Sequence, residues 1–368
     1  MVGGLFGVYI HVPFCAHKCD FCAFATYEGK DALRGRYVEA CLTQIGRATA
    51  AGELPVASSV YVGGGTPSRL AAGQLGALIA AIPMADGAEV TVECHPDDAD
   101  AGFLAQLRGA GVTRLSLGVE STQAHVLAAL DRAGPRKRVL AAAGTVGAAG
   151  FASWSVDLMF GALGESDADW ARTLDDVLGL DPPPPHISTY ALTVEPGTPL
   201  AADAARHPDP DAQARRYEMA DARLGAAGYR WEEISNWALP GHECRHNHLY
   251  WEQGDYLGVG SGAHSHRAGR RWWNVRTPER YVALVAAGGG VVAAEELLTG
   301  AQCAAEALSL ALRTPRGVPE AALPDAPELA GLLEWRDGRA VLTARGRLVA
   351  DELTLRLEVG REGAGILP

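Results

Sequence analysis

The chain has 368 residues, 48% of them hydrophobic, and 32 Lys and Arg against 44 Asp and Glu give a formal charge of −12. That length supplies one large domain with an appendage, or two domains. An acidic chain without a basic stripe is a poor nucleic-acid binder, and no apolar run reaches the roughly 18 residues a membrane span requires.

The opening "MVGGLFGVYIHVPFC" lacks the basic n-region and the long apolar run of a signal peptide. A cytoplasmic location is therefore expected, where thiols stay reduced. The 7 cysteines, an odd number, also fit a disulfide framework poorly.

Strands are predicted over 7–13, 58–64, 89–93, 113–118, 153–160 and 186–192. Helical spacing fills 33–49, 70–81, 101–109, 121–130, 137–148 and 168–178 between them. Six strand–helix repeats predict an α/β fold, an open partial (β/α)6 TIM-like barrel whose parallel sheet is wrapped by helices. The mixed run "RHPDPDAQARR" (206–216) reads as a solvated helix face, and "GVGSGAHSH" (258–266) as a loop. The latter's GxGxG does not join a strand to a helix in a dinucleotide-binding unit.

After residue 285 the pattern changes. "TGAQCAAEALSLALRT" reads as a helix, "LEWRDGRAVLT" as two strands turning at "RDG", and "ARGRLVADELTLRLE" as a closing helix. The expected division is a barrel domain over 1–285, including an extension at 240–270, and a small winged-helix-like α+β domain over 286–368. Its mixed charge points to a lid or docking role rather than DNA binding.

"CAHKCDFCAF" places Cys15, Cys19 and Cys22 at C-x3-C-x2-C, just after the first strand. Three buried structural cysteines is one reading, since free cysteine behaves as a small hydrophobe. Structural zinc is a second, but it wants four ligands, usually in two pairs; no second CxxC exists, and His11 or His17 would have to complete the set. A [4Fe–4S] cluster with three thiolates is the third. Such clusters normally take four cysteines, so one iron is left for a non-protein ligand.

That spacing after a first strand resembles the radical S-adenosylmethionine superfamily. The resemblance implies the open six-repeat barrel, a cluster on the three cysteines, and S-adenosylmethionine bound to the open iron and cleaved reductively. "GVYIHVPFCAHKCDFCAF", "YVGGGTPSRL", "TVECHPDD", "RLSLGVES", "VDLMFGALGES", "HISTYALTVEPGTPL" and "YRWEEISNWALPGHECRHNHLYW" together resemble its coproporphyrinogen III dehydrogenase-like branch, over most of the chain.

Carried over position by position, the resemblance implies that Tyr9 packs on the cofactor and Phe21 contacts its adenine side. Gly64, Gly65 and Thr66 would cradle the methionyl amino group, although "GGGTP" alone would read as an ordinary turn. Glu93 ends the third strand, where barrels place functional side chains. Arg132 and Asp157 would hold ribose or carboxylate groups, and Ala191 would line the adenine pocket. Three positions depart from the branch: Glu120 stands where glutamine is common, Gly134 where histidine is, and "CHP" replaces "ANP" or "INP" after Glu93.

Two markers divide the branch. The dehydrogenases resemble C-x3-C-x2-C-x-C, but the fourth cysteine's place is Phe24 here. The haem-chaperone group has the three-cysteine form and an HNxxYW motif, present as His246, Asn247, Tyr250 and Trp251. The resemblance implies haem contact by His246, an imidazole suited to haem iron, with Cys244, His242 and His248 close enough to act instead. The expected function is binding haem and passing it to an acceptor, with a membrane respiratory protein as the expected kind of acceptor. The alternative is oxygen-independent coproporphyrinogen III oxidation or another radical reaction.

Overall fold

A computed structural model describes residues 5–323 and 329–357. Its frame begins with β1 (Phe6–Val12), α1 (Arg34–Ala50), β2 (Ala57–Gly64), α2 (Ala72–Ala80), β3 (Met84–Cys94) and α3 (Ala101–Gly109). It continues with β4 (Arg114–Glu120), α4 (Ala124–Ala129), α5 (Arg136–Ala148), β5 (Ser153–Phe160), α6 (Asp167–Leu178) and β6 (His186–Ala191). These are the six predicted strand–helix repeats, and β1 to β6 lie side by side and parallel.

The sheet does not stop there. α7 (Pro210–Ala226) leads into β7 (Arg230–Glu233) and β8 (Asn236–Ala238), which pair antiparallel beyond β6. α8 (Arg245–Trp251) precedes β9 (Asp255–Val259), β10 (His264–Arg267) and β11 (Arg270–Asn274). β9 runs parallel to β1 on its free side, and β10 and β11 extend the sheet antiparallel. The stretch 258–266, expected as a loop, therefore holds the end of β9 and the start of β10, with only 260–263 between them. Past α9 (Pro278–Ala286), β12 (Val292–Leu297) pairs with β11, so the sheet continues beyond the residue 285 at which the sequence pattern changes. Twelve strands result, with β12 and β7 at the two edges, an open barrel rather than a closed one.

The strands alternate, and the alternation sorts the energetics. Val8, Ile10, Val60, Val62, Val92, Leu117, Val156 and Ile187 are buried in one apolar core. Burying each such side chain contributes about 1.5–3 kcal/mol. The intervening positions form ladders of another kind: Tyr9 beside Tyr61, Tyr61 beside Thr91, Glu93 beside Ser116, and Asp157 beside Ser188. Buried parallel strands usually read as near-continuous hydrophobic runs. Here the second face is polar because it lines the barrel interior.

The base of that interior is plugged by α8. Glu89 of β3 accepts hydrogen bonds from the backbone amides of Arg245 (3.3 Å) and His246 (3.1 Å), the free donors at the start of α8. The interior therefore opens at the other end, where the strands terminate.

The chain closes with α10 (Gly300–Leu312), β13 (Val318–Pro319), β14 (Leu333–Arg336), β15 (Arg339–Leu342), α11 (Ala344–Arg347) and α12 (Ala350–Thr354). β13, β15 and β14 form a three-stranded sheet over a second apolar cluster that includes Leu308, Leu312, Val318, Leu342 and Leu353. The expected hairpin turns at Asp337 and Gly338, both at positive φ (51° and 73°), as a two-residue turn of the primed type requires. The expected closing helix is two short ones, α11 and α12, and its last residue, Glu358, lies outside the described residues.

Candidate functional site

The cysteine loop leaves the end of β1 and is pinned at both ends. The Tyr27 amide donates to the Pro13 carbonyl (2.8 Å) and the Cys15 amide to the Tyr27 carbonyl (3.1 Å). His17 is held by Asp131 (2.6 Å) and Glu28 (3.3 Å), and Arg206 grips Asp20 from the opposite rim. Cys15, Cys19 and Cys22 are all free thiols and all partly buried. Cys15 accepts from the Thr66 hydroxyl (3.8 Å), and Cys22 lies 3.7 Å from that of Thr26. Burial pushes the Cys15 thiol up and the Cys19 thiol up to about 11.

Among the described residues no three His, Cys, Asp or Glu side chains converge on a single ion position. The two histidines that would complete a zinc set are engaged elsewhere, His17 by the carboxylates of Asp131 and Glu28. The His11 ring is bound by the Tyr9 hydroxyl (3.0 Å) and the Ala25 carbonyl (3.1 Å). Three unpaired thiols on one strapped loop are donors of the type that can hold an iron–sulfur cluster.

The loops around this one are shaped closely. Gly65 has the Phe14 and Val12 carbonyls and the Cys15 sulfur about it; a Cβ there would stand 2.9–3.0 Å from them. Gly64 has φ +116°, and a Cβ on it would meet the His11 ring at 2.5 Å. Its amide donates to Glu93 (3.1 Å), as does the Tyr61 hydroxyl (3.0 Å). Burial and the neighbouring Asp157 push the Glu93 carboxyl up to about 7. Asp157 accepts from Ser116 (2.8 Å), and burial raises its carboxyl too.

Glu120 has a positive φ of 59°, next to an irregularity in the β4–β5 ladder. That kink brings its carboxylate 3.1 Å from Arg132. Arg132 also donates to the Gly118 carbonyl (2.9 Å), and its positive charge favours the thiolate of Cys19. Burial raises the Glu120 carboxyl, against the pull of Arg132.

The mouth therefore gathers Cys15, Cys19, Thr66, Gly64, Glu93, Glu120, Arg132 and Asp157 through direct contacts or mutual charge. Tyr9 joins them through Tyr61, on which it stacks with ring centres 6.3 Å apart. Phe21 packs with Leu130, Leu192 and Leu200 on the rim, next to exposed Ala191.

His246 lies elsewhere. It is 1% exposed at the base of the interior, stacked on Tyr61 (5.4 Å). Its Nδ1 is bonded to the Ser59 hydroxyl (2.8 Å) and its Nε2 to the Tyr250 hydroxyl (2.9 Å). A haem iron reaches this imidazole only if one of those bonds opens. Cys244 is buried against Glu89, and His248 is paired with Glu232 (3.2 Å), which also holds His186 (2.8 Å). Sequence reasoning passed over Tyr61 and Ser116; strand alternation, which puts them in register with Tyr9 and Glu93, is the signal that finds them.

A parallel barrel with a three-cysteine loop and buried carboxylates at its strand ends defines a radical SAM protein, and the Radical SAM superfamily model matches residues 9–177. The chain is 42% identical to the heme chaperone HemW of Mycobacterium tuberculosis, over 97% of this chain and 96% of that one. It is 32% identical to the Bacillus subtilis heme chaperone HemW, over 94% and 97%. The chain belongs to the heme chaperone HemW family. Among solved structures, the Escherichia coli radical SAM enzyme coproporphyrinogen III oxidase (HemN) superposes with a TM-score of 0.82, covering 96% of this chain and 89% of that one. At 22% identity that likeness is one of fold.

Proposed function

We propose that this chain binds haem and hands it to an acceptor protein, on a barrel that also holds a [4Fe–4S] cluster and S-adenosylmethionine. The observation that carries the reading is the match to curated heme chaperones across nearly the whole of both chains, so that barrel, α8 segment and C-terminal unit are shared together. Phe24, where the resemblance puts a fourth cysteine in the dehydrogenases, favours the carrier over the oxidative decarboxylase.

Cys15, Cys19 and Cys22 would hold the cluster. When bound, it supplies one electron to the sulfonium of S-adenosylmethionine. Tyr9, Phe21 and Ala191 would flank the cofactor. The backbone of Gly64, Gly65 and Thr66 would take its amino group. Glu93 and Asp157 would accept from ribose hydroxyls, with Glu120 and Arg132 setting the charge beside them. His246 would contact haem once Tyr250 swings away. The cytoplasm is the proposed location, and a membrane respiratory protein the proposed kind of acceptor. Among the described residues no helix is long and apolar enough to cross a membrane.

The test is a hemin titration of anaerobically reconstituted protein followed by its Soret band, then mixing with a haem-free acceptor. Saturable one-to-one uptake and transfer are expected. No uptake would shift the assignment to a radical enzyme. Replacing Cys15, Cys19 and Cys22 by alanine should abolish bound iron and sulfide; a triple variant that keeps both would remove the cluster assignment.

A further inference from the structure

Ten of the 11 histidines have a ring nitrogen engaged by a hydrogen bond or an ion pair. His264 does not. It is exposed, at the start of β10, and its ring stacks on Trp273 of β11 with centres 5.5 Å apart and planes 22° from parallel. Burial, helped by the charge of Arg271, lowers its tendency to take a proton. A neutral imidazole whose nitrogens are bonded to no group among the described residues is the form that binds metals.

Its surroundings come from three segments at the mouth. The cysteine loop packs on the turn before His264: a Cβ on Gly262 would stand 2.8 Å from that of Ala25. Beside Ala25, Phe24 leaves 68% of its surface exposed, unusual for an aromatic ring in a loop held on both sides. Arg276 reaches over the same loop, donating to the Ala23 carbonyl (2.9 Å), while its own carbonyl accepts from Tyr27 (3.2 Å). Among the described residues no carboxylate stands within ion-pair distance of Arg276. An unpartnered imidazole, an exposed aromatic ring and an arginine without an ion-pair partner among the described residues thus share one rim.

We infer that His264 is a ligand of haem iron, held in place by its stacking on Trp273, with the porphyrin against Phe24 and a propionate on Arg276. The inference rests on the haem-carrier reading and names its site. Each part matches a part of haem: imidazole for iron, the exposed Phe24 ring for the macrocycle, guanidinium for carboxylate. It also explains how the protein takes haem at an open surface while His246 stays buried.

Hemin is titrated into cluster-reconstituted wild type, His264→Ala, His264→Met and His246→Ala, each checked for an unchanged melting temperature. Expected is a loss of about tenfold or more in affinity for His264→Ala, and retained binding with a shifted Soret band for His264→Met. His246→Ala, which removes the buried haem contact proposed above, should weaken hemin less than His264→Ala does. Arg276→Ala should weaken hemin and leave hemin dimethyl ester, which lacks the propionate charge, unaffected. Wild-type affinity and spectrum in His264→Ala would overturn the site while leaving the carrier reading intact. No hemin uptake by wild type would overturn both.

Discussion

Glu89 is one side chain that joins two elements: it sits on β3 and takes the first amides of α8, with the Cys244 thiol 3.6 Å away. Replacing it by alanine leaves those buried donors without an acceptor. Glu89→Ala should cost about 2–3 kcal/mol in a urea unfolding curve, and Glu89→Gln about half that, since one acceptor remains. Glu93 makes a prediction about pH. Its carboxyl, ordinarily near 4.5, is pushed up to about 7 by burial and then by Asp157. The folded protein therefore holds this proton more tightly than the unfolded chain. The stabilisation is complete below pH 4.5 and lost as pH rises through 7. In cluster-free protein, wild type should lose about 2–3 kcal/mol relative to Glu93→Gln between about pH 5 and 8. Parallel curves would mean that Glu93 is ionised throughout. The cysteine triad and Glu93 were legible in the sequence because spacing and strand ends mark them. The burial of His246 was not: "GHECRHNHLYW" looks polar and solvated, and the groups that satisfy it, Ser59 and Glu89, lie more than 150 residues away.

Among the elements, the six strand–helix repeats were legible from their period, and the β14–β15 hairpin from its Asp-Gly turn. β9 was not. It is 5 residues long and ends in a glycine-rich stretch that reads as a loop, so only pairing with β1 makes it a strand. The glycine has a packing reason. A Cβ on Gly258 would stand 2.1 Å from the His264 carbonyl, backbone against backbone with nothing to yield. Gly258→Ala should lower the melting temperature by several degrees, as a loss of about 2 kcal/mol or more implies. It should also disturb hemin uptake, because β10 carries His264. An unchanged melting temperature would show that β9 and β10 do not approach this closely. The closing helix failed as one piece because α11 lies hard against the chain before β14: a Cβ on Gly346 would be 1.9 Å from the Leu332 carbonyl.

Over the whole molecule, the C-terminal unit is fastened to the barrel through Arg347. Its guanidinium meets both oxygens of Asp221 on α7 (2.7 and 3.1 Å) and lies 4.4 Å over the Trp231 ring. Arg347→Ala should cost about 2–3 kcal/mol and raise amide exchange in β13–β15 before the barrel strands respond. Uniform exchange would make the two units one cooperative body. The sequence pattern marked a change after residue 285, but it could not show that β12 still belongs to the sheet. An edge strand exposed along its length carries no core signature. The two-faced strands have a consequence for how such proteins diversify. Folding free energy is banked on the outer face, in valines and leucines that never meet a ligand. The inner face is held mainly by hydrogen bonds among serines, tyrosines and acids, and can be exchanged residue by residue without touching that reserve. A lineage can thus trade one chemistry for another on a constant scaffold, and mutational tolerance along each strand should rise and fall with a period of two.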